Sequence, residues 1–319
     1  MMTAEVQAAH ALRSIARKES MKSYVQQSSE LYPLLLRAAK RFISGESREE
    51  GIAAAQELNA KGYGVSLEYI GENVAEKEEC HKAKDELLLL IEELGSLSMK
   101  QVVSFDLSHI GLLIHREAAY AHAVELAERA KKYGMTLMIS MEESAKTDDI
   151  LWVYKKIVEK YSHVGITIQA HLHRSVNDMK ELLCLPGKIR IVKGAFQEPT
   201  DTALPRSEEL NTRYLMLVEQ AIKANHPISI ATHDEELMKE MKRRQYVSHP
   251  HVEVEMLYGV RPDLLRDVKN EGHDCRVYIT YGTDWYLYLC HRIAEYPENI
   301  YRALVDMTQP SAAEGSTFY

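Results

Sequence analysis

Residues 188–199 read KIRIVKGAFQEP, and this stretch decides the fold. The run IRIV at 189–192 predicts a buried strand, because β-branched side chains suit the pleated backbone of a sheet. The strand leads directly into Lys193, Gly194 and Ala195, and the two small residues let a ligand approach the backbone. Arg190 and Lys193 bring positive charge to the same place. We therefore expect a strand that ends at an anion-binding turn.

Short strands and amphipathic helices alternate on both sides of this stretch. The segments 116–133 and 208–224 are examples of the helices. Eight strands that alternate with helices predict an α/β fold, a (β/α)8 barrel of the TIM type. A doubly wound sheet is the alternative, and the absence of GxGxxG after the first strand disfavours it. The eight strand candidates are 64–70, 101–107, 136–141, 164–170, 189–192, 227–231, 252–256 and 276–280.

The first 61 residues show a helical pattern instead. Apolar residues recur at three- and four-residue spacing between Tyr32 and Phe42. Ser47 and Glu50 form the pattern of a capping box before the next helix. We therefore predict an N-terminal helical arm over 1–62 and a single barrel domain over 63–319.

Composition excludes several classes of protein. The 319 residues are 45% hydrophobic and 27% charged, as in an ordinary soluble globular protein. The net charge of −8 argues against a nucleic-acid partner. The four cysteines are scattered along the chain, which indicates reduced thiols. The chain has no run of about 20 apolar residues, so the sequence predicts no membrane span. We expect a cytoplasmic protein, and contact with the inner face of the membrane stays open.

The carboxyl ends of barrel strands should carry the site. In such a barrel these ends meet at one mouth, so the residues that close each predicted strand can be collected. They are Asp106, Ser140, Met141, Gln169, His171, Lys193, Gly194, Ala195, Phe196, Thr232, His233, Leu257, Tyr258 and Tyr278.

Several of these residues lie in motifs that occur in a known order. IQAHLHR at 168–174 precedes KGAF, and IATHD at 230–234 and EMLYG at 255–259 follow it. RVYITYGTDWYLYLCHRIAE at 276–295 closes the series. From about residue 42 to residue 299 the chain resembles the flavin-dependent proline dehydrogenase family, in its monofunctional bacterial type.

The resemblance implies that the barrel mouth binds FAD. Gln169 matches the residue that hydrogen-bonds the flavin ring, and Arg190 matches the cation near its reactive nitrogen. Such a cation stabilises negative charge on the reduced ring. Asp234 departs from the family, which has Asn there. The other positions that match cofactor contacts are Met141, Lys193, Gly194, Ala195, Thr232 and His233.

The residues that match the family's substrate site differ from its pattern. His291-Arg292 stands where two arginines bind the carboxylate of proline, Asp106 replaces a Lys, and Ser140 replaces an Asp. Together these changes lower the charge of the pocket by two. At ~5 Å and an effective dielectric of ~20, one charge pair is worth roughly 3 kcal/mol, or about a hundredfold in affinity. Phe196 replaces a Tyr, whereas Tyr278 and Leu257 are kept as walls of the pocket.

We therefore expect an oxidoreductase acting on CH–NH bonds. Asp106, Ser140 and Arg190 are its candidate catalytic residues. The substrate is proline or, in better agreement with the charges, a related cyclic or secondary amine that gives hydride to the flavin. The resemblance further implies a membrane quinone as the electron acceptor.

Two alternatives stay open at this point. One is a flavin-binding homologue that has lost catalysis, because relaxed selection would also change the substrate positions. The other is a metal-dependent barrel hydrolase with His171, His173, Asp106 and His233 as ligands.

Overall fold

The structure is a computed structural model, and it describes residues 7, 11–12, 14–16, 18–97, 99, 101–295, 299–308 and 318–319. Eight parallel strands form a closed barrel in sequence order, as the sequence predicts. The strands are β1 (Gly64–Tyr69), β2 (Gln101–Phe105), β3 (Thr136–Ile139), β4 (Val164–Gln169), β5 (Ile189–Val192), β6 (Ile228–Ala231), β7 (Val252–Leu257) and β8 (Cys275–Tyr281).

Helices surround the barrel. The described α-helices of eight residues or more are α1 (Glu19–Gln27), α2 (Leu31–Ala39), α3 (Arg48–Ala60), α4 (Lys77–Ser96), α5 (Arg116–Lys132), α6 (Thr147–Val158), α7 (Ser175–Leu182), α8 (Glu208–Lys223), α9 (Glu235–Arg243), α10 (Pro262–Asn270), α11 (Trp285–Glu295) and α12 (Asn299–Thr308). None of them is long and apolar enough to cross a bilayer.

The capping box predicted at the start of α3 is present. The Ser47 side chain accepts a hydrogen bond from the Glu50 backbone N–H, and the Glu50 carboxylate accepts one from the Ser47 N–H. These two bonds satisfy N–H groups that the first turn of a helix leaves unpaired. α3 then packs against β1 and β8.

The apolar core lies between the strands and the helices. Strand residues alternate, so Val65 and Leu67 of β1 are fully buried against the helices, whereas Ser66 and Glu68 point into the barrel. A second apolar cluster joins α1, α2, α11 and α12, and Trp285 is its largest fully buried side chain. The Trp285 Nε1 donates a 3.0 Å hydrogen bond to Glu46.

The inside of the barrel is polar at two levels. At the lower level Glu253 of β7 pairs with Lys188 and Arg276 and accepts a 2.6 Å hydrogen bond from Ser229. At the upper level Arg190 of β5 pairs with Glu255 of β7. Barrels of this type are usually filled with branched apolar side chains. The charged interior below the mouth differs from this usual filling.

Candidate active site

Arg190 occupies the centre of the barrel below its mouth. Its Nε donates a 2.9 Å hydrogen bond to Glu255 Oε2, and its Nη2 donates a 2.7 Å bond to Glu255 Oε1. Nη2 also contacts the hydroxyls of Ser66 at 3.1 Å and Ser104 at 2.9 Å. The guanidinium carbon lies 4.8 Å from the centre of the Tyr278 ring. Arg190 is thus held in one orientation by four hydrogen bonds and a cation–π contact.

Gln169 closes β4 and is oriented by the β3 loop. Its Nε2 donates to the backbone carbonyls of Met141 at 3.1 Å and Glu142 at 2.8 Å. Its Oε1 atom is buried and has no hydrogen-bond partner within the described parts of the chain. Buried polar groups are nearly always hydrogen-bonded. An unpaired amide oxygen at the barrel mouth is therefore a place where a ligand would supply the donor.

His171 lies beside Gln169 and is unpaired in the same way. Its Nδ1 is 2.9 Å from the carbonyl of Lys193, so that nitrogen carries the proton. Burial lowers the pKa of His171, although the bond to Lys193 opposes this shift. The neutral ring therefore presents Nε2 as an acceptor, and Nε2 has no partner among the residues that the structure describes.

The turn after β5 needs glycine at position 194 for two reasons. Gly194 has a φ of +109°, a conformation that favours glycine. A Cβ at this position would lie 1.3 Å from His171 Nδ1. The His171 ring therefore occupies the space that a side chain at position 194 would need.

Two positively charged side chains, Lys193 and Arg206, lie at the same turn. Lys193 Nζ donates a 2.5 Å hydrogen bond to Asp234, and Arg206 donates a 2.7 Å bond to the carbonyl of Gly194. Burial is the largest influence on the pKa of Asp234 and raises it, but the Lys193 contact and the backbone hydrogen bonds from Leu237 and Glu236 together leave the pKa lowered. Asp234 is therefore a carboxylate that holds Lys193 in place. Ala195 lies next along the chain and is exposed.

The end of β6 joins the end of β7 through His233. His233 Nε2 accepts a 2.9 Å hydrogen bond from the backbone N–H of Leu257. Burial, with the charges of Arg292 and Arg261, lowers the pKa of His233 to about 3. The ring is therefore neutral at all physiological pH values. Thr232 is buried, and its hydroxyl accepts from the Asp234 N–H at 3.2 Å.

Carboxyl groups gather on the β1–β3 side of the mouth. Burial raises the pKa of Glu68 to about 7, and Arg190 and the Ser140 hydroxyl oppose the shift. Burial also raises the pKa of Asp106 well above its usual value, and the charges of Glu68 and Glu142 raise it further. These groups hold protons more tightly than ordinary carboxyls do. Asp106 and Ser140, which sequence reasoning placed at the substrate, lie on this acidic side.

Lys146 limits the charge of the acidic side. Its Nζ pairs with Glu142 and with Glu143, each at 2.7 Å. Glu142 also accepts a 3.0 Å hydrogen bond from the Ser108 N–H, so it links the β2 and β3 loops. Glu72 follows β1, and burial raises its pKa to about 7, with Glu143 adding to the rise and Lys146 opposing it.

α11 carries Arg292, whose positive charge helps to lower the pKa of His233. Its guanidinium is buried and pairs with Glu295, one turn further along the helix, through two contacts of 3.0 Å. It also lies 5.0 Å from the centre of the Tyr288 ring. Its Nε is buried without a partner in the described residues. His291 is half-buried next to it.

The loop after the Lys193 turn reaches the loop that follows β3. Glu198 accepts hydrogen bonds from the N–H of Ser144 at 2.7 Å and from its hydroxyl at 2.6 Å. This contact ties the β5 loop to the β3 loop. Phe196 is half-buried within this loop, and Leu257 is half-buried at the end of β7. Tyr278 is also half-buried, but it lies in the middle of β8, so the prediction that it closes this strand is wrong.

The metal-site alternative finds no support in the geometry. His171 turns to the Lys193 carbonyl, whereas His173 Nε2 lies 3.0 Å from the carbonyl of Thr200. In the described part of the chain, no group of three or more His, Cys, Asp or Glu residues is arranged to hold a metal ion.

Sequence reasoning missed three carboxylates that define the site: Glu68, Glu255 and Glu295. Glu295 lies three residues after Arg292, which is the spacing of a helical ion pair, so this signal was available. The alternation of Ser66 and Glu68 in β1 also marks an inward face. Nothing in the sequence indicates that Glu255 reaches Arg190, because the two strands are separated by β6.

The residues present fit a flavin nucleotide. Lys193 and the Gly194 turn supply positive charge and backbone polar groups suited to a pyrophosphate. Gln169 Oε1 and His171 Nε2 are buried acceptors that lack donors among the described residues. The N–H and O–H groups of a flavin and its ribityl chain are donors of the required kind.

Comparison with known proteins gives a consistent family. The family model described as "Proline dehydrogenase" matches residues 52–299. Proline dehydrogenase of Deinococcus radiodurans is 35% identical over 269 residues, which cover 82% of this chain and 87% of that protein. Proline dehydrogenase 2 of Bacillus subtilis is 30% identical over 275 residues, which cover 85% of this chain and 91% of that protein.

Solved structures share the fold. Proline utilization A from Bdellovibrio bacteriovorus, inactivated by N-propargylglycine, superposes with a TM-score of 0.75 at 15% identity over 91% of this chain. The match spans only 41% of that longer chain. A Bradyrhizobium japonicum proline utilization A mutant gives a TM-score of 0.65 at 17% identity over 79% of this chain, and 32% of its own length is covered.

Proposed function

This chain belongs to the proline dehydrogenase family of oxidoreductases acting on CH–NH bonds, and we propose that it binds FAD and oxidises a cyclic or secondary amine without a carboxylate. Free L-proline, the substrate that the names of its relatives indicate, would be a poor substrate. The departures at Asp106, Ser140 and His291 motivate the proposal.

Gln169, His171 and the Lys193 turn would hold the cofactor. The support is the pair of buried, unpartnered acceptors described above, together with the cation at the turn. Bound FAD would supply the acceptor for a hydride. Arg190 would face the ring as a fixed cation, because its side chain is already oriented by Glu255, Ser66 and Ser104.

The observation that carries the altered substrate is the pairing of both buried arginines with carboxylates of the chain itself. Arg190 pairs with Glu255, and Arg292 pairs with Glu295. A substrate carboxylate would have to compete with Glu295 for the Arg292 guanidinium. Removing one partner of a buried ion pair is costly, so this competition weakens binding.

The acidic side of the mouth favours the nitrogen end of an amine. Loss of hydride from the carbon beside a neutral amine nitrogen leaves an iminium cation. Glu68 and Asp106 would stabilise that positive charge, because an ionised carboxyl close to a cation lowers its free energy. The raised pKa values of these two groups would fall when a cation binds beside them.

Anaerobic titration tests the proposal. The purified protein is loaded with FAD, and the visible absorbance of the flavin is followed during additions of proline or of pyrrolidine, which has the same ring without the carboxylate. We expect pyrrolidine to bleach the flavin at concentrations roughly a hundredfold lower than proline.

Other outcomes separate the alternatives. Reduction by proline at the lower concentration would contradict the altered substrate and leave an ordinary member of the family. A bound flavin that no amine reduces would favour a non-catalytic homologue. A protein that binds no FAD would contradict the whole proposal.

The electron acceptor is a further part of the proposal. The family resemblance predicts a quinone, which would bring the protein to a membrane surface. Stopped-flow mixing of the reduced protein with a soluble quinone analogue tests this, and reoxidation no faster than in air-saturated buffer would contradict it.

A further inference from the structure

Glu255 pairs with Arg190, and the effect of its negative charge on a bound flavin is not part of the proposed reaction. Its side chain is 2% exposed, and that of Arg190 is 4% exposed. It lies on β7 and points into the barrel at the level just below the strand ends. An ion pair so deeply buried is weak evidence for stability, because desolvation offsets most of its attraction. Another role therefore has to be considered.

The contacts of Arg190 leave one nitrogen directed elsewhere. Nε and Nη2 make all of its hydrogen bonds within the described residues, to Glu255, Ser66 and Ser104. The Oγ atoms of Ser66 and Ser104 are 2.8 Å apart and support each other. Nη1 is the atom that stays available to a ligand at the mouth.

We propose that Glu255 is a positioning residue for Arg190 and that its carboxylate lowers the reduction potential of the flavin. This inference rests on the proposed flavin-dependent function. An uncompensated guanidinium beside the ring would stabilise the negative charge of the reduced flavin and raise its potential. A carboxylate 2.7 Å from the same guanidinium cancels part of that field. Glu255 also holds Nε and Nη2 with a two-point contact, so that the orientation of Nη1 is fixed.

The chain provides a matched control on the same strand. Glu253 is 14% exposed, also pairs with an arginine, and points into the barrel from β7. It lies two residues earlier, about 7 Å further from the strand ends. Glu253→Gln therefore removes the same charge from the same strand, at a greater distance from the proposed cofactor.

The test measures the affinity of sulfite, which binds oxidised flavin more tightly when positive charge lies near the ring, together with the midpoint potential. In flavin-loaded Glu255→Gln we expect sulfite to bind about tenfold more tightly. The same factor in the two-electron reduction equilibrium is a rise of about 30 mV. Glu255→Asp keeps the charge, and we expect its sulfite affinity within about threefold of wild type, as for Glu253→Gln.

The outcomes are distinguishable. If wild type takes up no flavin, the proposed function and this inference fail together. If wild type binds flavin and Glu255→Gln changes neither sulfite affinity nor potential, only the inference fails. Equal shifts in Glu255→Gln and Glu255→Asp would overturn the effect assigned to the Glu255 charge, because the geometry of the two-point contact alone would then set the potential. Should Glu255→Gln not fold, a shift above threefold in Glu255→Asp overturns the inference.

Discussion

The pKa of Glu68 depends on its burial and on the charged groups at the barrel mouth. Glu68 is buried at the end of β1, and its Oε2 has no partner among the described residues. Burial raises its pKa from 4.5 to about 7. A raised pKa means that the folded state binds the proton more tightly than the unfolded state. Its contribution to stability is therefore complete below pH ~4.5 and is lost as the pH rises through about 7.

We expect Glu68→Gln to remove this pH dependence from the free energy of unfolding. Gln resembles the protonated acid, so the free energy of unfolding of wild type should fall relative to the variant between pH 5 and pH 8. The difference should be about 1 kcal/mol or more, since one pKa unit corresponds to about 1.4 kcal/mol. Urea unfolding at four pH values measures it. Parallel profiles for the two proteins would contradict the assignment.

Neighbouring histidines do not confuse this comparison. Burial lowers the pKa of His109 to about 4 and that of His233 to about 3, so their neutral forms stabilise the fold above pH ~6.5 and this stability is lost as the pH falls through those values. Both contributions are the same in wild type and in Glu68→Gln, and the difference between the two proteins removes them.

Gly194 gives a second prediction at this scale. We expect Gly194→Ala to displace His171 and to weaken FAD binding at least tenfold, because the added Cβ would lie 1.3 Å from His171 Nδ1. Gly272→Ala is the control. Its φ of +91° imposes similar backbone strain, but no atom lies within 4 Å of its added Cβ. Fluorescence titration with FAD measures both variants, and equal losses would show that the His171 contact is not the cause.

Individual residues were predictable to different degrees. The turn at Gly194 could be predicted from the KGA motif, because two small residues directly after a β-branched run indicate where the strand ends. The ring of His171 beside that turn does not follow, because it depends on the rotamer of a residue in the loop after β4. The same holds for the Glu255 contact with Arg190, which joins two strands that are not neighbours.

At the level of elements, strand positions were predicted well and strand ends less well. β5 has the predicted bounds Ile189–Val192, because the β-branched run ends where the KGA turn begins. β2 ends at Phe105, two residues earlier than predicted, because a short 3₁₀ helix begins at Leu107. β8 reaches Tyr281, one residue beyond its predicted end, because its backbone pairs with Tyr69 of β1. Apolar periodicity sets the middle of a strand, whereas backbone partners decide its ends.

α11 carries a prediction about carboxylate recognition. We expect Glu295→Gln to free the Arg292 guanidinium and to tighten the binding of cyclopentanecarboxylate about fivefold to tenfold, because the ligand no longer competes with a carboxylate of the chain. Perturbation of the flavin spectrum measures the affinity. Glu240→Gln on α9 removes a carboxylate from a similar one-turn pair with Arg243, and we expect it to change nothing. Equal affinity in all three proteins would contradict the role given to Glu295.

The whole molecule separates an apolar core outside the barrel from a polar interior that leads to the mouth. The eight-strand closed barrel could be predicted because each βα unit leaves a local sequence signal. The charge balance of the mouth could be predicted only in part. Asp106, Ser140 and His291 indicated that the mouth is more acidic than the family pattern. The pairing of Arg190 with Glu255 and of Arg292 with Glu295 depends on the folded arrangement.

The central claim is that the amino-acid pocket of this family has become acidic in this chain, and one measurement tests it most directly. Anaerobic stopped-flow mixing gives second-order rate constants for flavin reduction by proline and by pyrrolidine in wild type and in Asp106→Lys. We expect wild type to prefer pyrrolidine, and Asp106→Lys to shift the ratio toward proline roughly a hundredfold. A wild type that prefers proline, with a ratio that Asp106→Lys leaves unchanged, would contradict the claim.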